Sequence, residues 1–563
     1  MKGHLEERLA ELDQLYPAWS PKTIWGFFEA TAARDPERDL IVLEEQRSYT
    51  YRQAREISLH FAEMLYAHGV RPGDHVALQL GNSAEQIFLA LALARLRAVK
   101  VPVNGALGNQ ELNFVLRQSK AQLLFTDRQI ELSGEVCRLR QIFTLENGSC
   151  HTELPVSPWP SVQAGSGLKP LPAWSDSAFA DEVSDIIYTS GSTSAPKGVM
   201  LTHDMLMRSA FASCRNRGFE EGRRIFVPLP MFHVYGYVEG LLAAILVGGA
   251  VLLWNRKFSA EYAVRFLREA RANDILCVPA QAMAMIQYLN NAPCVLPDLH
   301  AVYCSAAVCP AWVWPGIRSA LGVSDVITGY GMTEVCGASM QTAPTDSDHI
   351  LETRVGRLLP GGCSGVPEYG GHQIEYRVVD SETGKPCPPG KSGELWCRGP
   401  VVTRGYFDRP EINQRSFTED GWFRTGDFGR FDADGYLMLD GRMDDIYKIN
   451  GENVSPKYLE DILSACPLVR SVEIVGIPDE KHGAVGAAFI QLWEDTDASR
   501  EVVRQFCQDH FAKFQLPKYY IYMRDGDWPR TSTGKVQKFR LREMALAFKH
   551  SQDPPPGRSE GIA

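Results

Sequence analysis

The feature that most limits how this chain can fold is a recurring unit: a short apolar run that stops at a glycine or small-residue loop. Residues 185–191 (DIIYTSG), 250–254 (AVLLW), 275–279 (ILCVP), 301–306 (AVYCSA) and 325–331 (DVITGYG) all have this form. Helical patterns lie between such runs. Residues 57–70 (ISLHFAEMLYAHGV) have helical spacing that stops at Gly69, RPGD makes a turn, residues 75–80 (HVALQL) read as a strand, and residues 84–98 read as an amphipathic helix. This alternation predicts stacked α/β layers. Loops at strand ends are where ligands bind in such sheets.

At 563 residues the chain exceeds one ordinary core, and its length suggests roughly two to four domains. Hydrophobic residues make up 45% and charged residues 22%, the range of soluble globular proteins. A formal net charge of -10 argues against a general nucleic-acid binder. The first residues, MKGHLEERLAELDQLYP, carry charge and no apolar h-region, so no secretory signal is expected. The most apolar run, residues 240–254, falls short of the ~20 residues of a membrane helix. Gly248 and Gly249 break it, which predicts a buried helix turning into a buried strand. The 13 cysteines include no CxxC pair. They suit reduced, packed thiols in a cytoplasm better than a disulfide framework or a zinc site.

Residues 148–172 are rich in Ser, Pro and Gly and read as an exposed connection, and residues 382–393 read as a hairpin region. Beyond Leu439 the texture changes. Helices over 458–465 and 502–511 and strands over 471–477 and 487–493 are enough for a small α+β domain. The tail from Ser551 is expected to be disordered.

One stretch stands out chemically, residues 188–203, YTSGSTSAPKGVMLTH. A Walker loop needs lysine directly after glycine, whereas Lys197 follows Pro196 and precedes Gly198. The ingredients of an anion cradle remain. Thr189, Ser190, Ser192 and Thr193 offer hydroxyls, Gly191 lets the backbone come close, and Lys197 brings a point charge. A plain Ser/Gly turn has the same letters, and no GxSxG elbow supports a serine hydrolase.

This stretch closely resembles the signature loop of the adenylate-forming superfamily, which contains acyl-CoA synthetases, adenylation domains of peptide synthetases and luciferases. Four further stretches match in the family's order: GYGMTE (329–334), GWFRTGD (421–427), GRMDDIYKINGENVSP (441–456) and PRTSTGKVQK (529–538). The resemblance runs from about Thr23 to Arg542 and is strongest to acyl-CoA synthetases. It implies an α/β fold: a large N-terminal domain, 1–440, of stacked α/β subdomains with a small barrel-like part, then a smaller mobile α+β lid, 441–550, and a tail, 551–563. It also implies a two-step reaction. A carboxylate attacks the α-phosphate of ATP and releases pyrophosphate; a thiol, commonly that of CoA, then displaces AMP.

Roles follow from the resemblance position by position. Thr189, Ser190, Gly191, Ser192, Thr193 and Lys197 would embrace the β- and γ-phosphates. Tyr330, flanked by Gly329 and Gly331 that leave its face open, would lie against adenine. Thr333 would contact the α-phosphate, and Glu334 would hold Mg²⁺. Asp427, helped by Arg442, would accept from the ribose hydroxyls. Lys535 would draw the carboxylate and phosphate together during adenylation. Asp444 would be the hinge of the lid. Lys448 and Gly451 would act in thioester formation, with Gly451 leaving room for the pantetheine arm. His233, in PLPMFHVYGY, would gate the path between adenylate and thiol, or would be a hydrogen-bonded core histidine. ATP, Mg²⁺ and CoA are thus the expected ligands, with a carrier protein as an alternative acceptor.

Two departures stand out. Ser194 replaces the family's usual glycine, and residues 355–376 look like a short insertion beside the acyl pocket. Pocket walls are expected from Tyr235, Gly236 and Tyr237, from residues 305–308 and from residues 335–338. They suit a medium-chain fatty or aryl acid and show no counter-charge for an amino acid's ammonium. Cys304, Cys309 and Cys336 read as packing residues. The leading expectation is an acid:CoA ligase. Transfer to a carrier-protein thiol or another nucleophile is the alternative, and a non-catalytic nucleotide-binding protein is a remote one.

Overall fold

The computed structural model describes residues 5–44, 47–132, 138–145, 148–159, 171–172, 176–189, 196–307, 309–450, 452–530 and 536–552. The chain forms two compact units. One comprises Met1–Ala306, Pro315–Tyr376 and Cys397–Arg424; the other comprises Ala307–Trp314, Arg377–Trp396 and Thr425–Ala563.

The first unit is built on two seven-stranded sheets. One runs in the order Asp325–Ile327, Ala301–Cys304, Asp274–Cys277, Arg224–Val227, Ala250–Leu253, Asp39–Val42, Ser48–Thr50. All its neighbours are parallel except the last pair. The other runs Lys197–Thr202, Val183–Thr189, Val99–Pro102, His75–Gln79, Leu123–Thr126, Gln141–Thr144, Val156–Pro158. It is parallel except for its first pair. Strands buried on both faces explain the unbroken apolar runs of the sequence, and three of the five runs named above contain strands buried at every residue.

The helix expected over 57–70 spans Tyr51–Ala67, capped by Thr50 and Gln53 in a reciprocal box. The next spans Ala84–Leu96, with Ser83 as its cap. The apolar run 240–254 behaves as its glycine pair predicts. A π-helical turn, Tyr237–Leu242, continues into Ala243–Leu246, and the buried strand Ala250–Leu253 follows. Arg223 O would lie 2.1 Å from a Cβ at Gly249, so only glycine fits that corner.

The described part of the stretch 148–172 is exposed or half-buried except at Trp159, as expected, but it is more ordered than a plain connection. It holds the short strands Ser149–His151 and Val156–Pro158 and the buried Trp159. Trp159 meets Phe61, Phe125 and Phe143 edge-on. Residues 355–376, read above as a short insertion, are tightly wound. Two 3₁₀ turns, Gly362–Ser364 and Pro367–Tyr369, are drawn in by bridges from His372 to Pro360 and Val366.

Small sheets of three and four strands follow, over residues 329–358 and 375–442. The second unit also holds a five-stranded sheet. Its order is Glu452–Val454, Tyr447–Ile449, Gly483–Leu492, Val469–Asp479, with Tyr519–Tyr522 parallel to Gly483–Leu492. Helices Pro456–Ser464, Asp497–His510 and Lys538–Gln552 complete it. The last helix continues through Gln552, past Ser551 where the tail was expected to begin. Among the described residues, no helix is long and apolar enough to cross a membrane.

Candidate active site

Two strands flank the hydroxyl-rich stretch: Val183–Thr189 runs antiparallel to Lys197–Thr202, and Thr189 pairs directly with Lys197. A Walker loop instead joins a strand to a helix. Ser190, Gly191, Ser192, Thr193 and Ser194 lie outside the described residues. Gly198 is needed for packing, since a Cβ there would lie 2.7 Å from Ile186 Cγ2 and 3.0 Å from the Tyr188 ring. The Tyr188 hydroxyl bonds to the Gln118 side chain, whose amide donates to Phe407 O at 2.6 Å.

Segment 403–407 lies along this pair of strands and joins it to the GYGMTE turn. Tyr406 bridges Val199, Met200 N donates to Gly405 O at 3.0 Å, and Phe407 N donates to Gly198 O at 2.8 Å. On the other side Thr403 N donates to Glu334 O at 2.8 Å. The Tyr406 hydroxyl donates to Glu334 Oε1 at 2.8 Å, and Lys197 Nζ stands 5.2 Å from the centre of the Tyr406 ring. Glu334 and Lys197, 137 positions apart in the chain, thus meet through one tyrosine. Thr333 is buried beside Glu334 in the 3₁₀ turn Thr333–Val335. Tyr406 escapes sequence reasoning because a tyrosine in RGYFD, a turn-rich stretch, has neither periodicity nor motif to mark it.

Tyr330 is buried and meets Tyr376 edge-on, with ring centres 6.3 Å apart. Its flanking glycines have a packing reason that the sequence did not show. A Cβ at Gly331 would lie 1.8 Å from Gly337 O, and one at Gly329 would lie 2.6 Å from the Tyr303 hydroxyl oxygen and 2.7 Å from Met340 O. They are glycines because the antiparallel partner Gly337–Gln341 crosses so closely.

His233 caps the turn Val234–Gly236, its Nδ1 accepting from Tyr235 N at 3.2 Å. The Tyr235 hydroxyl is directed at strand ends, bonding Tyr303 O at 2.7 Å and Cys277 O at 3.2 Å. Tyr237 receives Lys100 Nζ 3.4 Å from its ring centre, and Lys100 also pairs with Asp185 at 3.0 Å. Burial lowers the Lys100 pKa against the pull of Asp185.

Two residues on, Glu239 ties the π-helical turn to the strand opposite Tyr330. Its Oε1 accepts from Ala338 N at 3.2 Å, and its Oε2 accepts from Ser213 and from Gln341 at 3.3 Å. Arg217 lies 3.7 Å away and pairs with Asp274 at 2.6 Å. Burial raises the Glu239 carboxyl while Arg217 opposes it. No motif marks Glu239 in the sequence. Cys304 and Cys336 are buried packing residues, as expected, and burial raises the Cys336 thiol.

In the second unit, Asp427 and Arg442 are cross-strand partners joined at 3.3 Å. Asp427 N donates to Thr425 Oγ1 at 3.0 Å, and Gly426 turns the chain at φ 71°. Asp427 is largely buried, so its carboxylate is held in place before any ligand arrives. Asp444 is exposed, and its carbonyl accepts from Arg542 at 2.9 Å. Lys448 is exposed, 3.8 Å from Glu382. Gly451 and Lys535 lie outside the described residues.

A cradle lysine, a tethered carboxylate and a cross-strand Asp–Arg pair are the parts expected of an adenylate-forming enzyme. Family comparison agrees. Residues 28–407 match the AMP-binding enzyme family, and residues 458–535 match the AMP-binding enzyme C-terminal domain. The chain belongs to that family and is most like its acyl-CoA synthetases. It is 32% identical over 544 residues to a probable CoA ligase, CCL9, of Humulus lupulus, covering 93% of this chain and 97% of the relative. It is 28% identical to a putative acyl-CoA synthetase, YngI, of Bacillus subtilis (strain 168), with the same coverage of both chains. It is 27% identical to a medium-chain fatty-acid–CoA ligase of Escherichia coli (strain K12), covering 96% and 95%. Among solved structures, the fold matches anthranilate CoA ligase AuaEII in complex with anthranoyl-AMP at a TM-score of 0.80 and 23% identity, covering 95% of this chain and 99% of that one.

Proposed function

We propose that this protein is an ATP-dependent carboxylic acid:CoA ligase that forms an acyl-adenylate with release of pyrophosphate and then an acyl-CoA thioester with release of AMP. The observation that carries this is the Lys197–Tyr406–Glu334 arrangement, in a chain of this family. Lys197 and Thr189 bind the leaving phosphates, and donors fixed before reaction are worth most where charge builds. Asp427 and Arg442 hold the ribose, and Tyr330 borders the adenine. Lys535 draws acid and α-phosphate together. The lid begins at Gly441 and turns about Asp444. Lys448, Gly451 and the gate at His233 serve the thioester step.

The donor set fits Mg²⁺. One oxygen of Glu334 already accepts from Tyr406, and a carboxylate oxygen is the hard donor that Mg²⁺ prefers. Glu334 would hold the ion, which would supply charge neutralisation for the phosphates, and Tyr406 holds Glu334.

The acid is a neutral-tailed monocarboxylate, a medium-chain fatty or aryl acid. The buried ions beside the pocket walls pair with one another, Lys100 with Asp185 and Arg217 with Glu239 and Asp274. A tail carrying a second charge would find its counter-ions already engaged. The medium-chain fatty-acid ligase among the relatives supports the same class. Free cysteines suit a cytoplasmic setting.

The test is ATP–pyrophosphate exchange over fatty, aryl, dicarboxylic and amino acids, followed by mass spectrometry with and without CoA. Exchange and CoA thioester with fatty or aryl acids are expected. Exchange only with dicarboxylic or amino acids would refute the acid class. Exchange without CoA thioester would transfer the activity to a carrier thiol or another nucleophile.

A further inference from the structure

Lys538 opens the last helix, Lys538–Gln552, three positions after Lys535. Its ammonium enters a cluster of two carboxylates in the core of the second unit. Lys538 Nζ donates to Glu460 Oε1 at 2.6 Å and to Ile474 O at 3.4 Å, and stands 3.5 Å from Glu473 Oε2. Glu460, on helix Pro456–Ser464, is 1% exposed, and its Oε1 also accepts from Ile474 N at 2.6 Å. One carboxylate oxygen therefore fastens both the neighbouring strand and the start of the last helix.

Described residues close the chain on either side of 531–535. Gln537 N donates to Pro529 O at 2.8 Å, and Arg530 pairs with Val536 as an isolated bridge. Trp528, just before, is buried and donates to Gln491 Oε1 at 3.1 Å. One turn along the last helix, Arg542 donates to Asp444 O at 2.9 Å and to Asp445 Oδ1 at 2.6 Å. The helix is thus fastened at its first turn to the sheet and at its second to the turn that holds the hinge residue.

We propose that Lys538, clamped by Glu460 and Glu473, is a positioning residue that fixes the base from which Lys535 is presented for adenylation. This rests on the reading of Lys535 as the adenylation lysine. The physical reason is leverage. A lysine that must meet two reactants at once loses much of its effect when its base shifts by an ångström. Charge-assisted hydrogen bonds are short and fix the geometry of the groups they join. Burial disfavours the Lys538 charge, but Glu460, Glu473 and Asp445 outweigh it, and its pKa is raised. The anchor therefore stays charged across the working range of the enzyme.

The experiment compares the half-reactions in the full-length protein. Lys538→Met is expected to lower kcat of ATP–pyrophosphate exchange about 10- to 100-fold while the KM for ATP stays within about threefold. Thioester formation from supplied acyl-adenylate and CoA is expected to stay within about threefold, and Lys538→Arg to restore most of the exchange. The triple variant Lys538→Met/Glu460→Gln/Glu473→Gln removes the clamp without stranding a buried charge, and stands in if the single variant does not fold. Exchange near the wild-type rate in a folded variant would overturn the proposal, as would equal loss in both half-reactions. Lys535→Ala is measured alongside. If it leaves exchange intact, the reading of Lys535 is what fails. If it abolishes exchange while the Lys538 variants do not, only the clamp fails.

Discussion

Glu334 depends on a neighbour 72 positions away, because its side-chain hydrogen bond comes from the Tyr406 hydroxyl. A hydrogen bond to a charged group is worth about 1.5–3 kcal/mol. Tyr406→Phe keeps the ring over which Lys197 lies and removes only that bond. It is expected to slow ATP–pyrophosphate exchange about tenfold and to raise the Mg²⁺ concentration needed for half-maximal rate. Glu334→Gln, which removes the charge itself, is expected to cost about a hundredfold or more. Titrating Mg²⁺ in the exchange assay checks both. An unchanged Mg²⁺ requirement in the two variants would remove Glu334 from the metal's surroundings.

At the scale of elements, the close crossing of Gly329–Met332 and Gly337–Gln341 decides what the GYGMTE motif can tolerate. Gly331→Ala would force a methyl to within 1.8 Å of Gly337 O. The strands must part, and stability is expected to fall by about 3 kcal/mol, read as a lower urea midpoint with an unchanged slope. Gly526→Ala, with no atom within 4 Å of its Cβ position, is the control expected to stay within about 0.5 kcal/mol. A Gly331→Ala midpoint equal to the control's would refute the packing argument. The same crossing shows where sequence reasoning stops. Ordered motifs revealed the family, and apolar runs revealed the buried parallel strands. The packing role of Gly329 and Gly331 was missed because a cross-strand neighbour leaves no trace in local letters. Tyr406, Glu239 and Lys538 escaped for a related reason: each acts through a partner distant in sequence. The strands at 149–151 and 156–158 are too short to show a period of two, so composition alone suggested a loop.

For the molecule as a whole, the second unit carries a titratable group in its core and an exposed lysine, and each leads to a test. Glu473 is pushed up to about 7 by burial and by Glu460, against the pull of Lys538 and Arg530. Asp445 and Tyr447 face the same cluster. A carboxyl with a raised folded-state pKa binds more protons folded than unfolded. Its contribution to stability is therefore full below the ordinary carboxylate range and is lost as pH rises through about 7. Glu473→Gln should flatten that fall, measured as urea midpoints from pH 5 to 8; a parallel slope in both proteins would refute it.

Lys448 supplies the last test. It is exposed and 3.8 Å from Glu382, an ion pair of the sort that contributes little to stability. Lys448→Ala should therefore leave the melting temperature and ATP–pyrophosphate exchange close to wild type. If Lys448 acts only once the lid has turned, the same variant should slow thioester formation from supplied adenylate about 10- to 100-fold. Lys535→Ala should give the opposite pattern, with exchange lost and the thioester step largely kept. Two lysines of one lid that fail in different half-reactions require two arrangements of that lid. If Lys448→Ala instead slows both steps equally, or neither, one arrangement suffices and the hinge assigned to Asp444 has no work to do.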